Sequence, residues 1–297
     1  CMRESRGGRS TVEQFFYLYM TFTQADKDNY LTHVFLIHPD SLLLHQTYPW
    51  YIGMDTTYNT NRYKMPLLEI LGMTPCNKNF VIAYAFMKDE TAESYYWALT
   101  QLANVIGTGI QPTVIVTDRE LGLIKPIREL FPQSAHMLCT WHINKDVASR
   151  VRKLCNQNHD IAQAFLDDSW RRILHAPTVV AYDLAVQYMK GVMATYPSVI
   201  KYLEETWLVH KEKFVYAWTN NVLHFGNRTN CRVESAHSQM KEWIYSSKGS
   251  LDTVFSKIHN AIECQLSEIR CATMLSRISV FVCIYHTSID FLIAQLL

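Results

Sequence analysis

The chain has 297 residues, of which 48% are hydrophobic, 12% aromatic and 19% charged, and its formal net charge is +1. This composition excludes a mostly disordered chain. The near-neutral charge excludes a global field that attracts nucleic acid, so any such binding must come from local patches. The eight cysteines have no regular spacing, which favours a reducing compartment over a secreted disulfide scaffold.

The first part of the chain carries few structural signals. It begins "CMRESRGGRSTVEQF", which lacks the basic start and apolar core of a signal peptide and reads like a cut from a longer protein. We interpret residues 1–48 as a helical or linker segment.

Three strands are predicted next, over residues 50–57, 65–75 and 80–89. The turn-like "CNKN" joins the second to the third, and short connections favour an antiparallel meander. The first of these strands ends in "GMDTTYNTN", where a single carboxylate, Asp55, interrupts an apolar run. A buried acid is costly without a basic partner, a metal ion or access to water.

The pattern then alternates between helices and strands. Residues 91–107 predict a helix that begins at Thr91 and is followed by Gly107. An apolar strand over 112–118, a helix, a strand over 134–142 and a helix from about Ile143 to Leu154 follow. A strand–helix–strand unit favours parallel pairing of its two strands.

Strand patterns are absent from about residue 157 to residue 225, where three helical segments are predicted. A polar loop, a helix around "VESAHSQMKEWIYSS" and an amphipathic helix over 251–271 follow. The tail over 272–297 is largely apolar, but Asp290 lies within it. This acid disfavours a membrane span and favours a packed helix or strand.

Two of the predicted strands end in an aspartate, Asp55 and Asp118. Acids at matching heights on adjacent strands repel each other and favour a divalent cation between them. Oxygen ligands suit Mg²⁺ or Mn²⁺ better than Zn²⁺. Glu234, in the first turn of a helix after a polar loop, is the best third ligand. Simpler roles remain open, because Asp118 is also placed to cap the next helix and Glu234 to complement a helix dipole.

Three stretches together resemble the catalytic domain of Mutator-like (MULE) transposases. They are "DTTYNTNRYKMPLLEILGMT", "VTDRELGLIKPIRELFPQSAHMLCTWHINKDV" and "NRTNCRVESAHSQMKEWI", and they occur in the family's order between about 50 and 270. The resemblance implies an α/β fold of the RNase H-like DDE type, with a mixed five-stranded sheet and an all-helical insertion before the catalytic Glu. The core would then comprise 49–156 and the helices of 226–271, the insertion 157–225, and the role of the tail stays unclear.

The resemblance also implies the chemistry. Asp55, Asp118 and Glu234 would be the catalytic residues and would hold two Mg²⁺ or Mn²⁺ ions for phosphoryl transfer on DNA. Such an enzyme cuts double-stranded DNA at transposon ends and joins it to target DNA. A homo-oligomer on DNA, a nuclear location and no membrane association are the further expectations.

A block that matches the family's Cys-x-x-His motif lies at Cys139 and His142. A structural zinc site needs four ligands and this pair supplies two. Four other residues stand as further candidates without a zinc-finger spacing: Cys155, His159, Cys231 and His237. A buried thiol with a hydrogen-bonded His is the alternative, so zinc binding stays open.

Several basic residues are candidate DNA contacts, with a solvated helix face as the alternative. Arg119 and Arg232 flank the acids, and the others lie on the helix after the last strand: Lys145, Arg150, Arg152 and Lys153. Trp141 and Trp218 are candidates for stacking on bases, or else core residues.

Two other functions remain open from the sequence. A domesticated, transposase-derived DNA-binding or transcription regulator would lack cleavage, and a generic RNase H-like nuclease would cut RNA–DNA hybrids. The apolar tail differs from the family's usual polar continuation, so a truncated and inactive gene product is a further interpretation.

Overall fold

The computed structural model describes residues 18–227 except 59 and 108, then 235, 236, 238, 240 and 242, and finally 250–296, with side chains omitted at 252 and beyond 276. A seven-stranded sheet forms its centre. The strands are β1 (Met20–Ala25), β2 (Leu31–Ile37), β3 (Tyr51–Thr57), β4 (Leu67–Met73), β5 (Asn79–Phe86), β6 (Val114–Thr117) and β7 (Ala135–Leu138).

The strands lie in the spatial order β1-β2-β5-β4-β3-β6-β7. β3, β4 and β5 form the predicted antiparallel meander, and β6 pairs with β7 in parallel as predicted. β3 also pairs with β6 in parallel. The fold is therefore mixed α/β, but the prediction of five strands is wrong because two more strands extend the sheet beyond β5.

Those two strands come from the segment that the sequence suggested was helical or linker. β2 pairs antiparallel with β5, and β1 pairs with β2. Helix α1 (Pro39–Thr47) follows and leads into β3. The described part of 1–48 thus forms two strands of the sheet and one helix. No local pattern revealed the strands, because β2 pairs with residues about 50 positions later in the chain.

Helices cover both faces of the sheet. On one face lies α2 (Ala92–Ile106), whose N-cap Thr91 accepts a hydrogen bond from the backbone N–H of Ser94 and whose last turn is followed by Gly107 with φ of 86°. The side chains predicted to share one face of this helix are all buried: Tyr95, Ala98, Leu99, Leu102 and Ile106. They pack on the sheet beside α3 (Leu121–Leu130). On the opposite face, α10 (Leu251–Leu296) packs against β2, β4 and β5.

The predicted helical insertion is all-helical where it is described. Its elements are α5 (His159–Ala164), a π-helical turn (Phe165–Trp170), α6 (Arg171–Leu174), α7 (Val179–Val192), α8 (Pro197–Thr206), a 3₁₀ helix (Leu208–Lys213) and α9 (Tyr216–Thr219). They enclose an apolar core of their own, which is completed by α4 (Thr140–Leu154). The insertion is therefore attached to the sheet through the helix that follows β7.

The predicted helix over 251–271 forms the first part of α10, and the apolar tail continues the same helix to Leu296. None of the helices in the described part of the chain has the length and apolar content that a membrane crossing requires.

Candidate active site

The two predicted aspartates occupy matching positions, with Asp55 on β3 and Asp118 directly after β6. The last paired residues of these parallel strands are Met54 and Thr117, so Asp55 and Asp118 occupy the next position on each strand. Neighbouring strands lie about 4.8 Å apart. The register of β3 and β6 therefore puts both acids at one height.

Asp55 is only 8% exposed, although it carries a carboxylate. Its Oδ1 accepts a hydrogen bond from the backbone N–H of Thr56 at 2.9 Å. The polar residues after it build the turn into β4: Asn61 Oδ1 accepts from the N–H groups of Tyr63 and Met65, and its Nδ2 donates to the Met65 carbonyl. This turn holds the end of β3 in place.

Asp118 lies among other acids. Its Oδ1 accepts from the backbone N–H of Glu120 at 3.2 Å, and Glu120, not Asp118, is the N-cap residue of α3. Burial, followed by the charge of Glu120, raises the pKa of Asp118 to about 6, and Glu90 and Asp146 add to the rise. This concentration of negative charge favours protons or cations at the strand ends.

Hydroxyl groups surround another acid, Glu90, on the α2 face of the sheet. The Oγ1 of Thr56 lies 3.1 Å from the hydroxyl of Tyr95, which donates to Glu90 Oε1 at 3.4 Å. Tyr58 also donates to Glu90. Burial and then Glu120 raise the pKa of Glu90.

A second buried acid, Glu69, was missed by the sequence analysis. It lies on β4 directly opposite Asp55, is 0% exposed, and accepts a hydrogen bond from Tyr84 at 3.1 Å. Burial is the main cause that raises its pKa to about 8, and the charge of Asp55 contributes. The lone acid in the apolar run "LLEILGM" was the available signal.

Glu234 and Arg232 lie outside the described residues. The geometry of the site therefore concerns Asp55 and Asp118, and the role of Glu234 stays a prediction from the sequence.

The Cys139–His142 block lies at the start of α4. Cys139 is buried, and its N–H donates to the Thr117 carbonyl at 2.7 Å. The ring of His142 contacts Trp141, with centroids 4.9 Å apart. Within the described residues, neither side chain belongs to a group of three or more metal-ligating side chains. Of the other zinc candidates, Cys155 is buried directly after α4 and His159 begins α5. Cys231 and His237 lie outside the described residues.

Aromatic residues of the insertion hold two of the candidate DNA-contacting arginines. The guanidinium of Arg119 lies 5.1 Å from the ring of Trp207, and that of Arg150 lies 6.0 Å from Tyr202. Trp207 Nε1 donates to the Tyr202 hydroxyl at 2.8 Å. The guanidinium of Arg119 is therefore held against the aromatic residues of the insertion.

The remaining basic candidates lie exposed on α4: Lys145, Arg152 and Lys153. Lys145 Nζ lies 4.8 Å from the ring of Trp141, which is 38% exposed. Trp218 instead packs against the insertion core and the ring of Tyr182, so its predicted role as a core residue holds.

Comparisons with known proteins bear on this part of the chain. The chain is 23% identical to "PKS-NRPS hybrid synthetase cheA" of Chaetomium globosum over 226 residues, which are 68% of this chain and 5% of that protein. It is 24% identical to "Protein FAR-RED IMPAIRED RESPONSE 1" of Arabidopsis thaliana over 198 residues, which are 65% of this chain and 22% of that protein. It is 30% identical to "Protein FAR1-RELATED SEQUENCE 5" of the same plant over 138 residues, which are 46% of this chain and 17% of that protein. The chain spans less than a quarter of the length of each of these relatives. Residues 51–146 match the family model of the MULE transposase domain, which confirms the resemblance to Mutator-like transposases.

Proposed function

We propose that this chain carries the catalytic domain of a DDE-type transposase, which cuts DNA at transposon ends and joins it to target DNA. The observation that carries the proposal is the placement of Asp55 and Asp118 at one height on neighbouring parallel strands, within the stretch that matches the MULE transposase domain. Two acids at adjacent strand ends are rarely needed for stability, because their repulsion is unfavourable.

The sheet is consistent with an RNase H-like core. The five strands from β3 to β7, numbered in chain order, lie in the spatial order third, second, first, fourth, fifth. The first three are antiparallel, and the fourth and fifth run parallel to the first. β1 and β2 are additions to this core at the β5 edge.

The described acids fit a divalent cation. Asp55 and Asp118 offer carboxylate oxygens, which Mg²⁺ and Mn²⁺ prefer. The raised pKa of Asp118 has acidic neighbours among its causes, so a cation would relieve repulsion that the protein alone leaves in place. Asp55, Asp118 and, by resemblance, Glu234 would hold two ions.

The ions, when bound, would neutralise charge on the scissile phosphate and lower the pKa of the attacking water or 3′-hydroxyl. The chain's own residues would position the DNA. Arg119, which lies against Trp207, would contact a phosphate, and the exposed Lys145 and Arg152 on α4 would hold the DNA backbone farther away. Double-stranded DNA as partner, a homo-oligomer on that DNA and a nuclear location are part of the proposal.

A nicking assay on supercoiled plasmid with Mg²⁺ or Mn²⁺ tests the proposal. We expect Asp55→Asn and Glu234→Gln each to abolish cleavage while the circular dichroism spectrum is unchanged. Asp183→Asn, on the exposed face of α7, is the matched control and should cleave like the parent chain. Full cleavage by either active-site variant would refute the catalytic assignment.

A second candidate is a transposase-derived DNA-binding regulator without cleavage. The names of the Arabidopsis relatives favour it, since "FAR-RED IMPAIRED RESPONSE 1" describes a response and not a mobile element. In this case the parent chain would bind DNA with a salt-dependent affinity and leave the plasmid intact with either metal. The same assay therefore separates the two functions.

A further inference from the structure

A second cluster of potential ligands lies at the other edge of the sheet, against α10. His38 is the N-cap residue of α1, and His259 and Glu263 are four residues apart on α10, so that they share one face of this helix. One ligand atom from each of these three side chains lies within 4.8 Å of the other two. Across the described residues, no other group of three His, Cys, Asp or Glu side chains meets this criterion.

Neighbouring groups already orient these side chains. His38 Nε2 lies 3.4 Å from Glu263 Oε1. Tyr19, which is 4% exposed, places its hydroxyl 3.2 Å from His259 Nδ1 and its ring edge-on against both imidazoles. The three side chains come from two distant parts of the chain, and these contacts hold them together before any metal ion is added.

We propose that His38, His259 and Glu263 bind one transition-metal ion, with Zn²⁺ as the preferred ion. Two imidazole nitrogens and one carboxylate oxygen are a common zinc donor set, and they suit Mg²⁺ poorly. With metal–ligand distances of about 2.0–2.1 Å, tetrahedral ligands lie about 3.3 Å apart. The separation between His38 Nε2 and Glu263 Oε1 already has nearly this value.

Each histidine would bind the ion through one ring nitrogen and carry its proton on the other. If His259 binds through Nε2, its Nδ1–H donates to the Tyr19 hydroxyl, which fixes the ring as such partners do in metal sites. If His38 binds through Nε2, its proton moves to Nδ1, which now accepts from the Asp40 N–H at 3.2 Å. One capping hydrogen bond is then lost, which is small beside a metal–imidazole bond.

Solvent has access to the fourth coordination position. The Glu263 side chain is 46% exposed, whereas that of His38 is 10% exposed. Water would complete the tetrahedron. The ion would join α1 to α10, beside the Arg270–Asp40 pair at 2.7 Å that links the same two helices. This site does not use Asp55 or Asp118 and does not depend on the proposed transposase activity.

Zinc titration of the full chain tests the site, in excess Mg²⁺ so that the acids at the ends of β3 and β6 do not bind zinc. We expect uptake of one Zn²⁺, a rise in the thermal midpoint, and d–d absorption of tetrahedral geometry with Co²⁺. His259→Ala and Glu263→Gln should each lower the affinity at least 100-fold. Glu268→Gln, an exposed acid on the same helix that pairs with Lys78, is the matched control and should bind like the parent chain.

Tyr19→Phe separates orientation from folding. It retains the buried ring and removes only the hydroxyl that orients His259, so zinc affinity should fall about 10-fold while the metal-free chain melts within a few degrees of the parent. No uptake by the parent chain, or uptake that is unchanged in both His259→Ala and Glu263→Gln, would overturn the proposal. Loss of uptake in Cys139→Ser alone would also overturn it and assign zinc to the Cys139–His142 block.

Discussion

The acid-lined end of the sheet and the helical insertion bury very different side chains. At the sheet, Asp55 and Glu69 are buried between hydrogen-bonding partners at neighbouring positions. In the described part of the insertion, the buried polar side chains are the hydroxyl residues Ser169 and Thr219, and the rest of the core is apolar and aromatic.

This difference suggests that the insertion core serves stability and that the acids of the sheet serve the proposed activity. A buried carboxylate costs free energy, and a fold keeps it when another function requires it. The insertion gains stability from its aromatic core and contributes to the site by holding Arg119 against Trp207 and Arg150 against Tyr202. We therefore expect mutations at the sheet end to change activity and pH dependence, and mutations in the insertion to change stability.

The largest effect is expected for Asp118→Asn, which should lower Mg²⁺-dependent cleavage at least 1,000-fold and also stabilise the fold. The folded pKa of about 6 lies above the ordinary value of 3.8, so protonation of Asp118 stabilises the folded state. This contribution is fully present below pH 3.8 and is lost as the pH rises through 6. Removal of the charge should raise the free energy of unfolding at pH 7 by about 1–2 kcal/mol. Urea denaturation and the nicking assay measure the two effects, and a destabilised variant would break the comparison.

In the insertion, Trp207→Ala should lower the free energy of unfolding by about 3–5 kcal/mol, because a buried aromatic is removed from a packed core. Trp207 is 1% exposed. The loss should be the same at pH 5 and pH 8, since no acid is involved. Trp141→Ala, at a side chain that is 38% exposed, is the control and should cost less than about 1 kcal/mol. A strong pH dependence of the Trp207 effect would contradict a pure packing role.

Glu69→Gln should remove a pH dependence of stability. The folded pKa is about 8 against an ordinary 4.5, so the parent chain is most stable below pH 4.5 and loses about 2–4 kcal/mol as the pH rises to 8. In thermal melts, the melting temperature of the variant should change less over this pH range than that of the parent chain. Glu129→Gln, at the exposed end of α3, should keep the parent's profile, and equal slopes in both variants would show that Glu69 is not the cause.

The smallest effect is expected at the basic face of α4. Lys145→Ala should weaken DNA binding a few-fold and reduce the slope of log affinity against log salt by about 0.9, because one phosphate contact is lost. Lys201→Ala, in the insertion and paired with Glu205, is the matched control. Fluorescence anisotropy over a salt series measures both, and equal slopes would remove α4 from the DNA-binding surface.

Most of the strands and helices around the site could be predicted from local sequence patterns. The apolar runs around Asp55 and Asp118 predicted strands, and short connections predicted the meander, since hairpin pairing follows from turn length. The cap at Thr91 and its apolar face predicted α2. Glu69 escaped because its importance depends on the neighbour across the strand and not on its own stretch of sequence.

The sequence by itself determined the order of strands and helices from β3 onward, the positions of the two aspartates, the helical insertion and the resemblance to Mutator-like transposases. These features depend on residues close together in the chain, through side-chain periodicity, turns and caps. Only the tertiary structure decided that β1 and β2 extend the sheet, that Glu69 faces Asp55 and that His38 meets His259 and Glu263. Those contacts join positions far apart in sequence, and their pairing is fixed by burial and by hydrogen bonds that form only when the whole sheet is assembled.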